Sequence, residues 1–220
     1  MSQVFNCGDE TERATGLASA VSAAKGGRLV VMPTDTVYGI GADAFDSAAV
    51  AALLAAKGRG RNMPVPVLVG SWTTIDGLVY TVPAAARELI RAFWPGALSL
   101  VVRQAPSLQW DLGDAGGTVM LRMPLHPVAI DLLREVGPMA VSSANISGRP
   151  AAVTVEEARE QLGERVEVYL DGGQATEQAA STIIDLTSDT PKILRQGPIS
   201  AERIAEVLGV EQATLGVTDA

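Results

Sequence analysis

The residues best equipped for chemistry in this chain are cations and hydroxyls, gathered where short apolar runs end. "VVMPTDTVYGIGADAF" (30–45) begins as a buried strand and passes at once into Thr34, Asp35, Thr36 and Tyr38, with Gly39 and Gly41 behind. Hydroxyls and open backbone N–H groups at a strand end suit a small polar ligand. The plainer alternative is a turn in which Thr and Asp bond the backbone. "KGRGRNMP" (57–64) concentrates Lys57, Arg59 and Arg61 after a helical run. Guanidinium forks and an ammonium suit di- or triphosphate oxygens, although a basic helix end also complements the macrodipole. "AVSSANISGRP" (140–150) sets Ser142, Ser143, Asn145 and Ser147 beside Gly148 and Arg149, the composition of an anion-binding nest or of a capped turn. In "TVMLRM" (118–123) alternation puts Thr118, Met120 and Arg122 on one strand face. A lone Arg among apolar residues is paired or grips an anion. "STIID" and "ILRQGP" add Ser181, Thr182 and Arg195 near strand ends.

Nucleophiles and bases are scarce. Cys7 is the only cysteine and His126 the only histidine, which excludes a disulfide within the chain and a Cys- or His-rich metal cage. His126, in "PLHP" before a helix, suits capping or packing better than base chemistry. G-x-S-x-G and the P-loop pattern are both missing. Gly39-Ile40-Gly41-Ala42-Asp43-Ala44 fits the loose dinucleotide pattern, but "PTDTVY" intervenes after the strand. Arg59 and Arg61 would suit a 2′-phosphate, so an NADP enzyme is one alternative. An inventory rich in cations and hydroxyls suits a reaction in which the substrates bring the nucleophile and the protein brings position and charge neutralisation. Transfer at a nucleotide phosphate is of this kind.

These residues need a scaffold, and the chain can build one. Of its 220 residues 47% are hydrophobic and 19% charged, enough apolar material for a core. Helices are expected over 9–25, 46–57, 83–94, 126–137, 154–163 and 200–209, from their caps and Gly or Pro stops. Strands are expected over 28–32, 64–70, 97–103, 118–123, 139–144, 166–173, 181–186 and 191–197. Interleaved but not strictly alternating elements predict an α/β fold on a mixed, twisted sheet. One domain is expected over 9–209, followed by a flexible tail over 210–220. The net charge of −8 argues against a broad nucleic-acid surface. No secretory leader and no apolar run of the ~18 residues of a membrane span are visible, so the cytoplasm is the expected location.

"PTDTVYGIGADAF", "AAKGRGRNMP", "FWPGALSLV", "VMLRMPLHP", "VSSANISGRP", "STIIDL" and "ILRQGPIS" occur here in the order found in the YrdC-like threonylcarbamoyl-AMP synthases, and the chain resembles that family from about residue 15 to 208. The resemblance implies a mixed α/β fold around a large, positively lined cavity. It implies that L-threonine, bicarbonate (or CO2) and ATP give threonylcarbamoyl-AMP and pyrophosphate, for the t6A modification of tRNA by a separate transferase complex. By the same resemblance, Lys57, Arg59, Ser143 and Asn145 form the catalytic set. Thr34, Thr36, Arg122 and Ser181 hold threonine. Arg61, Thr118, Arg149 and Arg195 join the catalytic set along ATP, and Mg2+ comes with the nucleotide rather than in a protein cage. Gly60, Met63 and Leu68 depart from the family pattern, where Pro, Asn and His are common. A non-enzymatic RNA-binding module is a second alternative, with at most weak direct tRNA binding expected of so acidic a chain.

Overall fold

Local signals set the helices in this computed structural model, which describes residues 1–217. Asp9 caps α1 (Glu10–Lys25) by accepting from the Glu12 N–H, and Asp46 caps α2 (Ser47–Lys57) by accepting from Ala48 and Ala49. Gly58 ends α2 in the left-handed region, at φ 62°. A 3-10 turn leads into the short α3 (Ile75–Leu78), followed by α4 (Ala84–Phe93) and α5 (Pro127–Val136), with Pro127 at the first helical position. Thr154 caps α6 (Val155–Leu162), and Ser200 caps α7 (Ala201–Leu208).

The strands are β1 (Gln3–Asn6), β2 (Val30–Met32), β3 (Gly39–Asp43), β4 (Val67–Leu68), β5 (Leu98–Arg103) and β6 (Thr118–Arg122). They continue with β7 (Met139–Ser143), β8 (Val168–Asp171), β9 (Thr182–Asp185), β10 (Lys192–Arg195) and β11 (Gly216–Val217). Among the described residues they form one mixed sheet in the order β1-β8-β2-β3-β7-β4-β6-β5-β9-β10-β11. The sheet combines parallel pairs (β1 with β8, β4 with β6, β5 with β9) and antiparallel ones (β2 with β3, β3 with β7, β5 with β6).

Strand alternation divides the side chains between two faces. Val31, Ile40, Leu100, Leu121 and Ala140 point to one face, in a large core shared with α2, α4, α6 and α7. Val30, Met32, Leu68, Met139 and Val141 point to the other, against Ala20 and Ala24 of α1 and Val128 and Leu132 of α5. No residue of β5, β6 or β9 joins that second core. Across those strands the same face carries different side chains, for Leu68 stands in register with Arg122, and Ser99 with Ile183. That stretch of sheet is the floor of the site.

The short α3 and the 3-10 turn before it were not expected, and three further segments depart from the sequence reading. β3 was hidden inside a run that reads as a turn. Gly39 and Gly41 are there because neighbours press on the backbone: a Cβ on Gly39 would lie 2.7 Å from Val141 Cγ1, and one on Gly41 3.0 Å from Met32 Cε. At the start of the chain β1 adds an edge strand to β8. At the end, residues 212–217 of the expected tail carry local structure of their own. A 3-10 turn (Gln212–Thr214) and the buried Leu215 bring Gly216 into register with Lys192. Residues 218–220 of that expected tail lie outside the described residues.

Candidate active site

The cleft over β6, β5 and β9 has a volume of about 270 Å3. It is walled by the 33–38 loop, the 57–64 loop and the end of β7. Arg59, Arg122 and Arg195 line it, with the hydroxyls of Thr34, Thr36, Ser99, Ser142, Ser143 and Ser181 and no carboxylate. A larger hollow of about 890 Å3 lies elsewhere, between the N-terminus, α2 and residues 164–167. It gathers small and surface residues and none of the chemistry-bearing loops.

Arg122 is the anchor. It is only 6% exposed and is held on three sides. Its Nε donates to the Gly96 carbonyl (2.9 Å), Nη1 to Thr36 Oγ1 (2.7 Å) and Nη2 to Asp35 Oδ1 (2.6 Å). Burial pulls the guanidinium pKa down and the Asp35 charge opposes that shift. The same Asp35 oxygen accepts from the Leu125 N–H, so one buried carboxylate joins the loop, the strand and the entry to α5. Thr34 and Thr36 hydroxyls lie 3.1 Å apart, and Thr34 Oγ1 donates to the Val37 carbonyl (2.6 Å), which fixes the turn. Across β5 and the start of β9, Ser99 and Ser181 share a hydrogen bond of 2.8 Å, and Arg195 wraps Ser181 through its carbonyl (2.8 and 3.0 Å) and hydroxyl (3.2 Å).

Arg59 enters from the other side. Nη1 donates to Ser142 Oγ and Nη2 to the Pro64 carbonyl, both at 3.1 Å. Its Nε is buried without a partner. Lys57 does not reach into this cleft. It is 2% exposed and its ammonium lies behind the turn after β7, donating to the carbonyls of Ser143 and Asn145 and to Asn145 Oδ1 (3.4 Å). Burial, and next the charge of Arg59, push its pKa down to about 8. Asn145 uses its amide on the Ile146 and Arg149 carbonyls (3.0 and 2.8 Å), so it and Lys57 shape the turn that presents Ser143.

Besides Lys57 and Asn145, three more residues expected along the nucleotide are not brought to the cleft. Arg61 is taken up by Asp111, at 2.9 and 2.7 Å, on the protein's exterior. Arg149 is exposed, because its backbone closes the 145–149 turn and turns the side chain outward. Thr118 shares the face of Met120 and Arg122 but lies at the far end of β6, where its hydroxyl donates to the Ala115 carbonyl (2.7 Å). His126 makes no capping bond; its ring lies close to Gly172, its Nδ1 is buried without a partner, and burial lowers its pKa. Ser99 and the partner role of Asp35 escaped the sequence reading. Ser99 gave the same signal as Arg122, a polar residue between Leu98 and Leu100 of an apolar strand.

The open face of a mixed α/β sheet here carries a pre-bonded arginine and two further guanidiniums, donors of the kind that suit a small anionic ligand. The chain belongs to the Sua5/YciO/YrdC family, described as telomere recombination, which matches residues 22–197. A Mycobacterium leprae protein that bears a provisional threonylcarbamoyl-AMP synthase name is 76% identical over 215 residues, 98% of each chain. The Bacillus subtilis threonylcarbamoyl-AMP synthase is 36% identical over 205 residues, 92% of this chain and 59% of that one. The crystal structure of Pyrococcus abyssi Sua5 complexed with L-threonine superposes with a TM-score of 0.89 at 32% identity, covering 99% of this chain and 63% of that one. The dinucleotide alternative falls on geometry: β2 ends at Met32, a polar loop follows, and the glycines open a new strand. No helix among the described residues is long and apolar enough to cross a membrane.

Proposed function

We propose that this chain is a threonylcarbamoyl-AMP synthase, acting on L-threonine, bicarbonate or CO2, and ATP. The observation that carries the reading is the single cleft lined by Arg59, Arg195 and Arg122, the last held in place from behind by Thr36 and Asp35. The relatives named as this synthase, and the solved relative with L-threonine, support it. The threonine carboxylate binds at Arg122, with Thr34, Thr36 and Ser181 around it. Its amine adds to CO2 with loss of a proton, giving an N-carboxylate. A carboxylate oxygen attacks the α-phosphorus of ATP and the bond to pyrophosphate breaks, so no protein nucleophile takes part. Arg59, Ser143 and Arg195 carry the growing charge on the phosphates, and Mg2+ arrives with ATP as part of the substrate. The product passes, in the cytoplasm, to a transferase that modifies tRNA.

Pyrophosphate release from MgATP and bicarbonate, with and without L-threonine, tests the proposal. Release should depend on threonine and fall about a hundredfold or more in Arg59→Ala. Threonine-independent release would mean a nucleotide hydrolase instead, and salt-sensitive tRNA retention without release would restore the RNA-binding alternative.

A further inference from the structure

Arg61 looked like a phosphate ligand in sequence and is occupied elsewhere in the structure. Its two terminal nitrogens donate to the two oxygens of Asp111 at 2.9 and 2.7 Å, and its Nε lies 3.6 Å from Asp114 Oδ1. Around this fork the 57–64 and 104–117 loops are joined by backbone. The Asp114 N–H donates to the Arg61 carbonyl (2.8 Å), and the Val65 N–H to the Leu112 carbonyl (2.9 Å). Gly113 sits at φ +99°, and a Cβ there would lie 2.8 Å from the Arg61 carbonyl oxygen and 3.4 Å from Pro64 Cα. Nearby, Trp110 of the same loop stacks on Phe45, with ring centroids 5.5 Å apart. The Pro64 carbonyl, one residue before the Val65 bond, accepts from Arg59 Nη2.

We infer that Arg61, with Asp111 and Asp114, is a positioning residue: it fastens the 104–117 loop to the 57–64 loop and, through Pro64, sets the direction of Arg59 in the cleft. This rests on the reading above that phosphates bind at Arg59. An exposed ion pair contributes little alone, so the effect is modest and belongs to nucleotide affinity rather than to the chemical step. It also explains a second arginine in this loop: one guanidinium is aimed at the ligand, and the other holds the loop that aims it.

The test is a double-mutant cycle on the full chain with Arg61→Gln, Asp111→Asn and both together, reading KM for ATP and for L-threonine, and amide exchange at Val65 and Asp114. Asparagine keeps an oxygen for the Gly113 N–H, which Asp111 accepts at 3.3 Å. Each single change should raise KM for ATP about two- to fivefold, leave KM for threonine and kcat in place, and speed exchange at both amides. The double variant should add nothing further. A loss in Arg61→Gln that Asp111→Asn does not share would overturn the inference, because Arg61 would then touch the nucleotide itself. Faster exchange with unchanged KM would overturn it too, leaving the clamp merely structural. If the wild type releases no pyrophosphate, the proposed function fails by itself. The same cycle is then read by calorimetry with inorganic triphosphate, where equal affinities across all variants would reject the inference.

Discussion

Lys57 and Asp35 are buried charges on which the site's side chains lean, and each makes a measurable demand. Burial, and next the charge of Arg59, push the Lys57 ammonium from the ordinary 10.5 down to about 8. Between those pH values the unfolded chain holds a proton that the folded chain lacks, so this group's contribution to stability rises as pH climbs through about 8. The neutral amine, however, has two N–H bonds for three acceptors, and the turn presenting Ser143 loosens. Pyrophosphate release should therefore fall above about pH 8, and Lys57→Arg, charged throughout, should lack that alkaline limb; a limb kept in the variant would show that another group titrates. For Asp35, removal leaves the Arg122 guanidinium buried without its counter-charge. Asp35→Ala should cost about 3–5 kcal/mol in urea unfolding, and a loss under about 1 kcal/mol would mean that Thr36 and Gly96 suffice. At this scale the sequence showed which residues are unusual, Arg122 above all, because a charge inside an apolar strand violates a pattern. It did not show that Lys57 faces away from the cleft or that Arg61 is taken by Asp111, because both depend on partners 50 or more positions distant.

Six of the seven helices were legible almost to the residue, in part because Asp9, Asp46, Thr154 and Ser200 are local caps and act on amides two or three positions on; the four-residue α3 was not. β3 was not, because its glycines look like a turn until Val141, Met32 and Met139 are seen pressing on them. Gly39→Ala puts a methyl group 2.7 Å from Val141 Cγ1. It should cost about 1–3 kcal/mol by overpacking and, by displacing β7, weaken threonine binding as well. Thermal melts with and without threonine separate the two effects, and a variant as stable as wild type would mean that the β3–β7 pair yields without cost. β1 and β11 were missed for a different reason: each is a short edge strand, four and two residues long, defined by the strand it pairs with rather than by its own pattern.

At the scale of the molecule, helices α1 and α5 cover one half of a sheet face and leave the other half open, and the mixed α/β class was visible in the interleaving of elements. The order of strands was not, because β3, β7, β4 and β6 become neighbours through contacts that no local run encodes. Ligands that fill the open half should stabilise the whole: saturation at about a hundred times Kd adds about 2.7 kcal/mol. L-threonine and MgATP together should raise Tm by several degrees, and equal melting curves would mean that the cleft takes neither.

The strand order has a temporal side. The cleft needs Thr34 and Thr36 from the first fifth of the chain and Ser181 and Arg195 from the last, and β9 completes the floor by pairing with β5, some 84 positions earlier (Leu98 with Thr182). A growing or refolding chain therefore has no partial site to offer. Non-local pairings of this kind are slow to close, so ligand capture is a late event, and threonine binding followed in real time would serve as a clock for the arrival of the C-terminal strands.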